Sequence, residues 1–176
     1  MRLAVLILSL SLAAGACGDG PAASGQPHDF HPKVVLDDFL MIEGNGWTGS
    51  LTYLDYSDPK DEVKLPVELD IGRDEQVLKL ALTYPTEPQA NELVEIEIAD
   101  DGRLMNDARV MSREEQDGSI EIRTVEDCED AGRPAECMNI YDLSATRISI
   151  SRMVTFEGDT EGFQRNIYEF SRPPNS

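Results

Sequence analysis

Histidine is almost missing from this 176-residue chain: the two present, His28 and His31, sit together in a stretch rich in Gly, Pro, Ala and Ser. Without histidine elsewhere, a Ser-His-Asp triad, a Cys-His pair and His-based zinc or haem ligation have no residues to build them. Positive charge is scarce too, with 15 Lys and Arg against 34 Asp and Glu and a formal charge of −19. Such a field repels phosphate backbones, so nucleic acid is not an expected partner, and the excess acid reads chiefly as a solubility device. The longest apolar run is about a dozen residues, whereas a membrane-spanning helix needs roughly 20. Neither a phosphate-cradling Gly loop nor a Ser nucleophile elbow is visible. The expectation is a protein that is not an enzyme, with no catalytic residue, no cofactor and no metal.

What the chain does have begins at Arg2, a positive residue ahead of the apolar run that starts at Leu3 and ends at Ala13. The small residues Ala14, Gly15 and Ala16 follow, and then Cys17. That order is a signal peptide over residues 1–16, removed after export. A small residue before a cysteine resembles the lipobox of bacterial lipoproteins, which implies that Cys17 is acylated, palmitate being a usual chain, and holds the protein to a membrane. Several acyl chains anchor stably because each buried methylene contributes about 0.8 kcal/mol. Gly18 stands where Asp would signal inner-membrane retention, so the resemblance points to the cell envelope, at the outer membrane facing the periplasm. Residues 17–33 then form a flexible tether and residues 34–176 the folded domain. With Cys17 lipidated, Cys128 and Cys137 remain as a pair in an oxidising compartment and read as a disulfide stapling a long, polar hairpin loop.

A short helix is expected within 34–43, with Leu36, Phe39 and Leu40 on one side. Beyond Gly46 the pattern changes to period two. Val63, Leu65, Val67, Leu69 and Ile71 alternate with polar residues or Pro66, and Leu78, Leu80, Leu82 and Tyr84 continue the rhythm. About nine strands follow from such alternation, at 47–56, 63–71, 78–84, 94–98, 104–113, 120–122, 138–145, 148–156 and 163–172. Turns such as Asp58-Pro-Lys-Asp61, Asp100-Asp-Gly102 and Asp117-Gly-Ser119 separate them. Strands joined by short turns without helices make an antiparallel meander, and closure removes its edges. The predicted fold is all-β, an antiparallel up-and-down barrel preceded by a short helix.

The segment from Gly44 through Trp47 to Tyr56, with the segment from Arg165 to Arg172, resembles the calycin superfamily, the lipocalin and fatty-acid-binding-like barrels. There a short helix leads into a first strand that opens with a Gly/Trp motif, and an Arg from the last strand packs over the Trp. Trp47 matches the tryptophan, and either Arg165 or Arg172 fits the arginine, linked by a cation–π contact. A lipocalin has Gly two residues before the Trp; this chain has Asn45 there, between Gly44 and Gly46. Haem-binding members of that barrel type hold iron through a histidine, which this domain does not offer.

Small closed barrels either fill with side chains or hold one small ligand. The inward series includes Trp47, Leu51, Tyr53 and Asp55, and it continues through 148–156, where Arg152 interrupts the apolar parity. A buried guanidinium must be paired. Its partner is either a ligand carboxylate, as in fatty-acid-binding-like barrels, or an internal acid such as Asp55. Tyr53, Tyr56, Tyr84, Tyr141 and Tyr168 line a mouth or pack in the core, and the acidic runs 126–130 and 157–161 read as solvated loops rather than calcium sites. The expected function is a lipid-anchored envelope barrel that binds a small apolar or amphipathic ligand through Trp47, Tyr53 and Arg152. Its alternative is a filled barrel acting on a protein partner of unknown identity, as an assembly factor or inhibitor.

Overall fold

The computed structural model describes residues 31–56 and 61–173. The expected signal peptide, Cys17, most of the expected tether and the turn around Pro59 lie outside the described residues. A 3₁₀ helix, Leu36–Ile42, is followed by β1 (Gly44–Leu54), β2 (Glu62–Asp74), β3 (Val77–Thr83), β4 (Glu92–Glu97) and β5 (Leu104–Met105). Then come β6 (Ala108–Gln116), β7 (Ser119–Asp130), β8 (Arg133–Ser144), β9 (Arg147–Phe156) and β10 (Phe163–Ser171). All pairings are antiparallel in one sheet of order β4-β3-β2-β1-β10-β9-β8-β7-β6-β5, so every neighbour is a hairpin partner except β1 and β10, which join the two ends of the chain. The fold is an all-β, up-and-down, nearly closed barrel.

Ten strands replace the expected nine because 104–113 is not one strand. Asn106 and Asp107 both have positive φ, 49° and 65°, the backbone that a two-residue type I′ turn demands, and they divide the segment into β5 and β6. The same chemistry shortens the loop expected between the cysteines. Ala131 and Gly132, at φ 49° and 74°, form a two-residue turn, so Asp130 pairs directly with Arg133 and the strands run through both cysteines. Cys128 and Cys137 are bridged, with Cα atoms 5.9 Å apart, and the disulfide crosses a continuous ladder rather than closing a loop. The acidic run 126–130, expected as loop, is therefore strand as well.

The seam between β4 and β5 is closed by few bonds. Ile98 and Met105 form a bridge, and Asn106 N–H donates to the Glu97 carbonyl at 2.9 Å. The Asn106 side chain then stands in for a peptide unit, its Oδ1 accepting from Glu97 N–H at 2.7 Å and its Nδ2 donating to the Glu95 carbonyl at 2.8 Å. On the far side of the barrel β1 and β10 approach so closely that a Cβ at position 49 would fall 1.9 Å from the Glu169 carbonyl oxygen, which explains Gly49.

One end of the barrel is stoppered. The helix is 3₁₀, so its buried side repeats every three residues, and Phe39 and Ile42 point inward while Leu40, expected on that side, is exposed. Asp38 is buried in the same helix, receives Val35 N–H at 3.0 Å, and takes a two-pronged pair of bonds from Arg113 at 3.0 and 2.7 Å. Trp47 is wholly buried beneath, donating its indole N–H to the Ile42 carbonyl at 3.0 Å. Arg172, not Arg165, covers the indole, with its guanidinium 4.2 Å from the ring centre. Its nitrogens donate to the carbonyls of Met41, Glu43 and Ala145 at 2.7, 2.8 and 3.0 Å, so one side chain ties helix, β1 and the β8–β9 turn together.

The other end curls. Asp130, at the tip of β7, accepts a hydrogen bond from the Tyr56 hydroxyl and pairs with Arg165 at 3.3 Å, although β10, β9 and β8 lie between β7 and β1 in the sheet. Arg165 also donates to the Leu54 carbonyl at 2.6 Å and lies over the Tyr56 ring. Under this curl a second, small apolar cluster forms from Ala135, Cys137 and Val154, with Cys128, Phe156 and Phe163 against it.

Candidate functional site

Residues directly opposite one another in antiparallel strands share a face, so the register divides the interior into layers. Nearest the stopper, Phe170, Ile148, Leu143 and Ile120 form one row across β10, β9, β8 and β7, all buried. The next row is Tyr168, Ile150, Tyr141 and Ile122. The third changes character: Tyr53, Asn166, Arg152, Asn139 and Thr124 stand side by side from β1 to β7. The fourth, Val154, Cys137 and Glu126, leads into the cluster under the curl. A polar belt thus crosses the barrel between two apolar clusters.

At this belt lies a half-open cavity of about 290 Å³, lined among others by Val94, Asn106, Tyr141, Ile150, Asn166 and Tyr168, with Glu126, Asn139 and Arg152. Arg152 is paired: its Nη1 lies 3.1 Å from Glu126 Oε1 and donates to Asn139 Oδ1 at 3.4 Å. The internal acid it finds is Glu126, two residues from Thr124 on β7, and not Asp55. Both charged side chains are about one-third exposed (32% each), so water tempers the attraction while the pair still cancels its own charge inside the cavity. Thr124 is wholly buried, and its Oγ1 has no hydrogen-bond partner among the described residues. Leaving a buried hydroxyl unsatisfied costs about 1–3 kcal/mol.

The tyrosines form the floor. Tyr84 donates to Glu92 at 3.2 Å and lies 2.9 Å from the Tyr168 hydroxyl. Burial pushes the Tyr141 phenol up to about 12, with the negative charge of Glu126 adding to the effect and Arg152 opposing it. The Tyr84 phenol is raised well above the ordinary tyrosine range, first by burial and then by its bond to Tyr168 and the proximity of Glu92. Tyr168 is raised by burial, against its bond to Tyr84 and with help from Glu92. All three side chains are thus held neutral, as hydrogen-bonding groups.

Of the residues singled out from sequence, Tyr53 and Arg152 fall in one cross-strand row with Asn166 between them, and Arg152 lines the cavity. Trp47 belongs to the stoppered end, sealed by Arg172. Asn139, Asn166, Glu126 and Thr124 escaped sequence reasoning. Extending the parity of Ile120 and Ile122 by two steps would have reached Thr124 and Glu126.

No protein-family model matches this chain, and no curated protein matches its sequence. Among solved structures it is similar to Rv2717c from M. tuberculosis, at a TM-score of 0.54 and 9% identity, over 80% of this chain and 99% of that one. A mutant of the fluorescent protein UnaG aligns at a TM-score of 0.39 and 8% identity, over 77% of this chain and 98% of that one. Likeness at such identity concerns the fold alone. The up-and-down topology, with a short helix before β1 and an Arg beyond β10 stacked over Trp47, is consistent with a calycin-like barrel.

Proposed function

We propose that this chain is a lipid-anchored protein of the cell envelope, held through acylated Cys17 at the outer membrane and facing the periplasm, whose barrel binds a small amphipathic molecule. The observation that carries the binding role is the contrast inside one barrel: a tightly filled end, and beside it a cavity of about 290 Å³ on which Asn, Tyr and Arg side chains converge. Such a volume lies at the small end of ligand sites, where a few placed polar groups orient a mostly apolar body. Val94 and Ile150 offer the apolar wall, and the polar belt offers the orienting groups.

Native mass spectrometry of the intact purified protein tests both halves of the reading. A mature N-terminus carrying acyl mass on Cys17, lost together with membrane association in Cys17→Ser, is the expected result for the anchor. For the cavity, a small molecule should travel with the wild type and be missing from Val94→Trp, which fills the cavity from an edge strand. A wild-type barrel that carries nothing and gains nothing from added amphiphiles would leave the filled-barrel, protein-binding alternative standing.

A further inference from the structure

We infer that the cavity selects a neutral head group carrying both a hydrogen-bond donor and an acceptor, such as a primary amide or a hydroxyl, over a carboxylate or an ammonium. This rests on the binding reading above and assigns the ligand's chemical class from hydrogen-bond direction.

The direction starts at Glu92. A carboxylate only accepts, so Tyr84, 3.2 Å from Glu92 Oε1, must be the donor in that contact. A phenol has one O–H. Tyr84 therefore has only its lone pairs left for Tyr168, and in the 2.9 Å contact between the two hydroxyls Tyr168 donates. With its proton committed, Tyr168 presents an acceptor to the cavity it lines. Because burial holds both phenols neutral, the chain from Tyr168 through Tyr84 to Glu92 keeps this sense across the neutral pH range.

On β8, two strands away along the sheet, the sense is reversed. Asn139 Oδ1 accepts from Arg152 Nη1, which leaves the Asn139 amide N–H groups as the part free to donate. Arg152 has already met its counter-charge in Glu126. A carboxylate placed here would meet the Tyr168 lone pair and the Glu126 charge, with no uncompensated cation to reward it. An ammonium would find acceptors in Tyr168 and Glu126, but it would stand against the Arg152 charge and, having no lone pair, leave the Asn139 N–H groups without a partner. A group with one donor and one acceptor satisfies Tyr168 and Asn139 together.

Three probes of one chain length separate these cases: octanamide, octanoate and octylamine. At about 30 Å³ per water-sized group, the cavity takes roughly ten such groups, which matches their size. Isothermal titration of the full-length protein at pH 7.5 should find octanamide binding at least tenfold more tightly than either charged probe. In Glu92→Gln the new amide can donate to Tyr84, which turns the chain around and points the Tyr168 O–H into the cavity. There the octanamide-to-octanoate ratio should fall to threefold or less, and Tyr84→Phe, which frees the Tyr168 proton directly, should do the same. Octanoate binding as tightly as octanamide in the wild type, or a ratio unmoved in both variants, overturns the head-group inference and leaves the cavity as a binding site. Absence of binding by all three probes overturns the cavity reading itself.

Discussion

Two rows of side chains, each two residues from a shared middle row in every strand, face the same interior and were built by the same alternation, yet they do opposite things. Phe170, Ile148, Leu143 and Ile120 are apolar and closed to solvent; Asn166, Arg152 and Asn139 are polar and partly open, and Thr124 is polar, buried and unsatisfied. Successive inward positions in a strand are separated by roughly 7 Å, so the two rows lie only about 14 Å apart. A barrel selected for stability alone would repeat the first row. The second row gives up stability beside the open cavity, a local cost that the proposed binding role would account for.

The sharpest way to break this contrast is at the filled end. Trp47→Ala removes a fully buried ring together with the platform for Arg172, and should cost about 4 kcal/mol, read by urea denaturation. A loss near that of a surface substitution would mean that the stopper does not hold the barrel. Next in size is the curled end: Cys128→Ser with Cys137→Ser should cost about 2–3 kcal/mol by freeing the unfolded chain. Because Trp47 is the single tryptophan, its emission reports the filled end and should stay native in this variant while the melting temperature falls.

At the polar belt the sign should reverse. Thr124→Val replaces an unsatisfied hydroxyl with a methyl of the same shape and should raise stability by about 1 kcal/mol, visible as a higher melting temperature. Destabilisation there would mean that the belt is part of the structural core after all. The smallest effect is the titration of Tyr141. Its folded pKa, about 12, lies above that of an exposed phenol, so its contribution to stability is complete below pH 10 and is lost as pH rises from there through 12. Ultraviolet titration of the phenolate band should show late-ionising tyrosines, with one fewer of them in Tyr141→Phe.

Most of the scaffold was legible in the sequence because burial on one face leaves a period of two, as at Val67, Leu69 and Ile71. The Trp–Arg closure was legible as well, though only geometry could choose Arg172 over Arg165, whose register falls at a bulge in β10. Turns were harder. Asn106-Asp107 and Ala131-Gly132 adopt left-handed backbones without the usual Asn-Gly or Asp-Gly signature, so one strand seemed whole and one hairpin seemed to end early. The belt was least legible, since an inward Asn or Thr looks on paper like the end of a strand. Arg152 was noticed only because a charge on an apolar parity is conspicuous; its true partner lay in a stretch taken for loop.

The pairing of β1 with β10 has a consequence in time. Thr48 to Tyr53 are among the first strand residues to be synthesised, and the neighbours that complete them, Asn166 to Ser171, are among the last. Until those arrive, β1 keeps a row of unpaired backbone N–H and C=O groups that no local hairpin can cover. Cylinder closure is therefore the slow, late event in maturation, and the interval before it is when a holding chaperone would matter most.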